Sequence, residues 1–351
     1  MSKIFNKKNS VKISMPYLIA EAGVNHEGSL KKAFKLIELA KKGGADAIKF
    51  QTYKAEKLVI KNSPAYWDTK KEKTKNQFDL FKKYDFFEKE DYVKLYRHCK
   101  KKKIDFLSTP FDNEAVEFLN PLVKYFKIAS ADLNNVPLLK KISSKKKPIF
   151  LSTGASNLKE IKSAVKLLKK SGCKKIALLH CILNYPTISH NANLNMISSL
   201  KKEFNKIKIG YSDHTLPDKD MIVPTTAFLL GAEIIEKHFT YNKNLPGNDH
   251  YHSMDYKDLK KLRSNLKKIL DIIGKKKSKQ PILSEKKAIK NARRSIVVAE
   301  NIKKGEKFSE QNLTFKRPAV GLSVSEWENV IGKKAKIDLK KDKVINKTHI
   351  T

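Results

Sequence analysis

Eight short runs rich in apolar and β-branched residues recur along the chain, each followed by a longer segment with helical periodicity and a lysine-bearing face. The runs are YLIAEAG (17–23), AIKFQ (47–51), IDFLST (104–109), YFKIAS (125–130), PIFLST (148–153), KIALLHC (175–181), KIGYSDH (208–214) and AEIIEKHFT (232–240). Segments such as 30–43, 88–103, 157–170 and 255–273 supply the helices between and after them. Eight β–α units in about 275 residues match a (β/α)8 barrel in number and size. A doubly wound open sheet uses the same units, but no Gly-rich dinucleotide fingerprint follows the first strand. An α/β barrel is therefore expected.

Two segments break the rhythm. Residues 54–91 form a long insertion before the helix at 88–103. A loop of that length above a barrel's active face is a lid or substrate wall, or else a surface excursion. Near 275 the sequence becomes GKKKSKQP, a lysine-rich, apolar-poor stretch ending in proline. Short strand-like runs and turn signals follow it. The expected organisation is a barrel domain over 1–275, a linker over 276–292 and a small β-rich module over 293–351, too small for a large core of its own.

The formal net charge of +38 raises the question of a polyanion partner. Only five of the 74 basic residues are arginine, and base readout and phosphate clamping favour arginine. The lysines spread over helix faces without aromatic interleaving, so the excess reads as a lysine bias and no nucleic-acid partner is expected. A positive field also draws in small anions. No apolar run is long enough for a membrane span or for a signal h-region before the first strand. Three cysteines without CxxC spacing fit a reduced, cytoplasmic protein.

Barrel chemistry collects at the C-terminal strand ends. In order, those ends carry Glu21, Asn25 and His26; Lys49 and Gln51; Ser108 and Thr109; Lys127, Ser130 and Asp132; Ser152 and Thr153; His180, Asn184 and Tyr185; Ser212, Asp213 and His214; Glu236 and His238. Lys49 and Lys127 sit inside apolar runs where alternation points them inward, so a carboxylate or an anionic ligand should face each one. His214 and His238 end neighbouring strands, where two imidazoles either share a divalent cation or form a structural pair. The adjacent Ser212, Asp213 and His214 have the composition of a hydrolytic triad. Alternation sends Asp213 to the opposite face from the other two, and no GxSxG elbow is present, so a triad is rejected. Asp213 is expected to meet a structural partner such as a neighbouring lysine.

The motifs IAEAGVNHEG (19–28), IKFQTY (48–53), FLSTPFD (106–112), FKIASADLNN (126–135), FLSTGAS (150–156), LLHCILNYPT (178–187), GYSDHT (210–215), EKHFT (236–240) and FKRPAVGLS (315–323) closely resemble the sialic acid synthase family across nearly the whole chain. The resemblance implies a (β/α)8 TIM barrel followed by an antifreeze-like (SAF) domain. It implies condensation of phosphoenolpyruvate with an N-acylated mannose-type sugar to a nine-carbon 2-keto acid and phosphate. It further implies that Lys49, Thr109, Lys127, Ser130, Ser152 and Ser212 hold phosphoenolpyruvate. His214 and His238 would bind Mn²⁺ or Mg²⁺, and Glu21, Gln51, Tyr185 and Asp249 would contact the sugar. A domain-swapped homodimer is implied, with Arg317 of one subunit reaching the acyl group in the other. Asp132, Glu21, His214 and His238 are the candidate catalytic residues, a carboxylate near C2 handling the proton of the attacking water.

Two departures concern the sugar. The sialic acid enzymes carry KIGSGE where this chain has KIASAD, which puts Asp132 in place of a longer acid. They carry HCTNIYP where it has HCILNYP, which moves the asparagine to Asn184. SPAYWDTKKE (63–72), KIASADLNN and LPGNDHYHSMD (245–255) look more like synthases for legionaminic acid, which use 2,4-diacetamido-2,4,6-trideoxy-mannose. Such a sugar favours aromatic walls, and Tyr66, Trp67 and Phe78 of the insertion either supply them or anchor the loop. N-acetylmannosamine is the alternative substrate. Synthases of shorter keto-sugar phosphates lack the C-terminal module, and a polyanion binder on a degenerate barrel would not need the intact strand-end set.

Overall fold

In the computed structural model, which describes residues 14–247, 249–274 and 278–351, all eight apolar runs become strands and every ladder among them is parallel. The first half of the barrel unit comprises β1 (Tyr17–Gly23), α1 (Leu30–Gly43), β2 (Ala47–Thr52), α2 (Ala55–Leu58), α3 (Gln77–Lys82), α4 (Lys89–Lys102), β3 (Asp105–Pro110), α5 (Asn113–Leu119) and β4 (Phe126–Ile128). There follow α6 (Val136–Ser144), β5 (Ile149–Ser152), α7 (Leu158–Lys170), β6 (Ile176–Cys181), α8 (Asn195–Glu203), β7 (Lys208–Asp213), α9 (Ile222–Leu229), β8 (Ile234–His238) and α10 (Tyr256–Ile273). Strand order is β3-β2-β1-β8-β7-β6-β5-β4, so β1 pairs with both β2 and β8 and wraps the sheet into a barrel. The seam lies between β3 and β4, which approach without a hydrogen-bonded ladder. β4 is only three residues long and leads straight into a 3₁₀ turn at Ser130–Asp132.

Helix ends follow local chemistry. Ser29 Oγ accepts from Lys32 N at the start of α1, and Gly44 closes that helix with a φ of 95° that a side chain would oppose. Reciprocal capping boxes start α4 (Glu88, Asp91), α7 (Asn157, Glu160) and α10 (Asp255, Asp258). Ala33, Leu36, Ile37 and Ala40 put one buried stripe of α1 against the strands. Strand alternation then divides the core. Ile19, Ala47, Leu107, Tyr125, Phe150, Ala177, Leu179 and Ile234 fill the barrel, and a larger set packs between strands and helices.

The insertion folds around Glu72, which is 3% exposed. Its carboxylate accepts from Thr74 N and Oγ1 and pairs with Lys83 at 3.0 Å, while its carbonyl accepts from Trp67 Nε1. That satisfied charge ties the segment carrying Tyr66 and Trp67 to α3.

The chain divides into two units, Met1–Gly274 and Lys275–Thr351. The second holds α11 (Lys286–Ala292), β9 (Ser295–Val298), β10 (Leu313–Lys316) and α12 (Trp327–Val330). β9 and β10 pair antiparallel over a small core of Ile296, Val298, Ile302, Phe308, Leu313 and Ile345. The segment expected as a linker contains the solvent-exposed α11, and residues 276 and 277 at its start lie outside the described residues. Among the described residues no helix is long and apolar enough to cross a membrane.

Candidate functional site

Strand register gathers the inward polar residues into layers. Glu21 is level with Lys49 on β2 and with His238 on β8, Gln51 with Thr109, and Ser212 with Glu236. They form the floor of a cavity of about 630 Å³ at the C-terminal strand ends. Both lysines point inward, and each meets a carboxylate: Lys49 Nζ lies 2.5 Å from Glu21 and Lys127 Nζ 3.6 Å from Glu236. Lys49 also donates to Thr109 Oγ1 at 3.0 Å, and Ser212 Oγ donates to Glu236 at 3.0 Å.

The two pairs are unequal. Burial opposes the charge of Lys49, but Glu21 and Glu236 outweigh it and raise its pKa. Lys127 is held less closely, and burial pushes its pKa down. Burial raises the Glu21 carboxyl despite Lys49, whereas Lys127 and Lys49 overcome the burial of Glu236 and lower it. Hydroxyls line the floor between these charges. Ser130 Oγ accepts from Gly154 N at 2.9 Å, a contact that a Cβ on residue 154 would invade. Ser152 Oγ is buried without a hydrogen-bond partner among the described residues, a donor left for something else.

One side of the mouth carries imidazoles. Donor atoms of His238, Asp249 and His252 lie within 4.8 Å of one another, with Asp249 between the rings at 3.4 Å from His238 Nδ1 and 3.5 Å from His252 Nε2. Burial works against the Asp249 carboxylate, yet the two histidines hold its pKa well below the usual range. His214 is 5.4 Å from His238 between ring centroids and outside that closest cluster. Its Nδ1 donates to the Ile182 carbonyl at 2.8 Å, which leaves Nε2 as the unprotonated nitrogen of a neutral ring. Burial, then His238, pushes its pKa well down. Two or three imidazoles and a carboxylate form a donor set suited to a divalent transition metal.

The wall opposite is uncharged. Leu58, Val59, Tyr66, Gln77, Leu80, Phe81 and Tyr84 of the insertion line the cavity. Residues 54–91 contain ten lysines and eight acidic residues, and none of them reaches the lining. Lys54, Lys82 and Lys83 are instead paired with Glu88, Glu56 and Glu72. The insertion thus forms an uncharged wall of the cavity.

Of the residues expected from sequence, Glu21, Lys49, Gln51, Thr109, Lys127, Ser130, Asp132, Ser152, Tyr185, Ser212, His214, His238 and Asp249 line this one cavity. Asn184 does not. It is exposed and outside the lining, because the chain turns the Tyr185 ring inward at the next position. Its carbonyl accepts from Thr187 Oγ1 at 2.9 Å. Arg317 belongs to the second unit, where it is exposed. Of the three aromatics proposed for the wall, Tyr66 lines it, Trp67 is buried beneath it and Phe78 lies off it. Asp213 faces away and pairs with Lys237 at 2.9 Å, as alternation required. Sequence reasoning placed Glu236 at a strand end, on the same face as His238, without giving it a role, and left out His252, which sits in a loop with no period to reveal it.

Residues 36–278 match the NeuB family and residues 293–351 match the SAF domain. The N,N'-diacetyllegionaminic acid synthase of Campylobacter jejuni is 44% identical over 93% of this chain and 98% of its own. The Legionella pneumophila protein of the same name is 38% identical over 92% and 91%. Among solved structures, the sialic acid synthetase of Leptospira borgpetersenii in complex with citrate aligns with a TM-score of 0.68 at 35% identity, over 81% of this chain and 94% of that one.

Proposed function

The chain belongs to the NeuB family, and on that premise we propose that it makes N,N'-diacetyllegionaminate from phosphoenolpyruvate and 2,4-diacetamido-2,4,6-trideoxy-mannose. The broader activity is that of the family: a phosphoenolpyruvate-dependent synthase that condenses the enol with a sugar to give a nonulosonic acid. The observation that carries the narrower reading is the sorting of charge within one cavity. The floor is ionic and the insertion's wall is neutral and largely apolar. A sugar with a methyl group at C6 and two acetamido groups matches such a wall, whereas a buried hydroxyl without a partner is penalised there.

In this scheme Lys127, Lys49 and the hydroxyls of Thr109, Ser130, Ser152 and Ser212 receive the phosphate and carboxylate of phosphoenolpyruvate. C3 of the enol forms a bond to the aldehyde carbon of the open-chain sugar, whose oxygen becomes a hydroxyl. Water adds at C2, and the tetrahedral centre collapses to the ketone as its C–O bond to phosphate breaks. Glu21 or Asp132 takes the proton of that water; burial raises both carboxyls, which makes each a stronger proton acceptor than an ordinary carboxylate. His238, Asp249 and His252, with His214 beside them, would hold the divalent cation. When bound, the cation supplies Lewis-acid polarisation of the aldehyde. The imidazoles favour Mn²⁺ over Mg²⁺, which prefers oxygen ligands. Arg317 acts from a partner subunit in a swapped dimer.

The test is phosphate release from phosphoenolpyruvate with Mn²⁺ and either sugar. Higher kcat/KM with N-acetylmannosamine sinks the legionaminic reading in favour of a sialic acid synthase. A wall variant sharpens the result: Leu80→Asn gives a buried hydroxyl a partner and should narrow the preference for the deoxy sugar by about 10-fold or more. For Arg317, mixed dimers of Arg317→Ala with a barrel mutant should regain activity, and verified subunit exchange without rescue counts against the swap.

A further inference from the structure

We propose that the buried Asp213–Lys237 pair, on the barrel face turned away from the cavity, positions His214 for metal binding. The inference rests on the metal reading above but concerns residues that touch neither substrate nor metal.

Asp213 and Lys237 are opposite one another in the β7–β8 ladder, and both are almost completely buried. Their contacts converge on one turn. Asp213 Oδ1 accepts from Thr215 N at 2.8 Å and from Thr215 Oγ1 at 2.7 Å, and Tyr211 OH donates to the same oxygen at 3.1 Å. Lys237 Nζ stands 2.9 Å from Asp213 Oδ2 and donates to the Thr215 carbonyl. Both peptide groups of Thr215 are therefore clamped by a charged side chain. His214 lies between Asp213 and this clamp, its carbonyl accepting from Thr187 N at 2.9 Å and its Nδ1 donating to Ile182.

Two apolar residues of similar volume would fill the same space at no greater cost in stability, since buried ion pairs gain little over good packing. What apolar residues cannot do is hydrogen-bond the N–H, hydroxyl and carbonyl of residue 215. The pair thus fixes the direction in which the chain leaves β7, and with it the angle at which the His214 ring enters the mouth. Outer partners of this kind set ligand orientation and typically govern affinity 10- to 100-fold.

The experiment measures Mn²⁺ binding to metal-free, full-length protein, using the paramagnetic resonance signal of free Mn²⁺, alongside steady-state kinetics. Thr215→Val removes one bond at nearly constant volume, and the double variant Asp213→Asn/Lys237→Met removes both charges together. Each should raise the Mn²⁺ dissociation constant, the double variant by about 10- to 100-fold. At saturating Mn²⁺ the kcat should recover to within a few fold of wild type, with the KM for phosphoenolpyruvate unchanged. A folded double variant that binds Mn²⁺ as wild type does, and is altered only in melting temperature, overturns the positioning role while leaving the metal reading intact. Wild-type protein that binds no Mn²⁺, or remains fully active after chelation, overturns both.

Discussion

Replacing Lys127 with methionine should damage phosphoenolpyruvate binding more than the same change at Lys49. The two ammonium groups sit on one floor but differ in how fully the protein already satisfies them. At 2.5 Å from its carboxylate, Lys49 gains about 1.4 times the Coulomb energy that Lys127 gains at 3.6 Å in the same medium. Lys49 also donates to Thr109, whereas among the described residues Lys127 donates to the carbonyl of the adjoining residue, Ile128, at 3.2 Å. Burial pushes both pKa values down, but it prevails only at Lys127, while Glu21 and Glu236 outweigh it at Lys49. An incoming phosphate or carboxylate relieves Lys127 and has to compete with Glu21 for Lys49.

A charge-assisted hydrogen bond is worth about 1.5–3 kcal/mol, so Lys127→Met should raise the KM for phosphoenolpyruvate roughly 10- to 150-fold. In Lys49→Met the Glu21 carboxyl, already raised by burial, takes up a proton, which keeps the loss below about 10-fold. The assay is phosphate release at saturating sugar and Mn²⁺, with calorimetric titration of phosphoenolpyruvate as the binding control. An equal or larger effect at Lys49 refutes the reasoning that the nearer internal carboxylate decides which lysine is available to the substrate.

Other outcomes follow from single residues. His26 is stacked on Phe87 at 4.1 Å, accepts from Gly28 N, and has its pKa pushed by burial from 6.5 to about 3. The unfolded chain binds this proton near pH 6.5 and the folded chain does not. Stability from His26 is therefore complete above that pH and lost on acidification toward 3, at up to about 1.4 kcal/mol per pH unit. His26→Asn should flatten the fall in urea midpoint between pH 7.5 and 5, and parallel curves for the two proteins would contradict this. A Cβ at Gly210 would come within 2.7 Å of Ile234 O and 2.8 Å of Ile234 Cβ, so Gly210→Ala should cost about 1–3 kcal/mol by forcing β7 from β8. The readout is a lower denaturation midpoint at constant slope, and an unmoved midpoint defeats it.

The barrel was legible because its signal is periodic. Alternation locates all eight strands and turns Lys49 and Lys127 inward, and the facing carboxylates that burial demands are present as Glu21 and Glu236. The same rule separated Asp213 from Ser212 and His214. Loops defeated it. His252 reaches His238 and Asp249 and Asn184 misses the cavity because turns, which carry no fixed side-chain direction, decide both. Which aromatics form the wall was left open for a related reason. Aromatic content could not divide Tyr66, Trp67 and Phe78 between wall and anchor; the bonds of the buried Glu72 tie down Trp67, while Tyr66, Leu80 and Phe81 line the cavity.

The sorting of charge separates capture from retention. The lining contributes two lysines against Glu21, Asp132, Glu236 and Asp249, a formal charge of −2 before histidines and metal, inside a chain of +38. On the proposed function, an anionic substrate would be drawn from a distance by a surface that takes no part in holding it, and held by groups too few to attract it from afar. Salt should erode the first step, as a fall in association rate, and leave the dissociation rate nearly unchanged, because screening acts on exposed charges and hardly reaches buried ones.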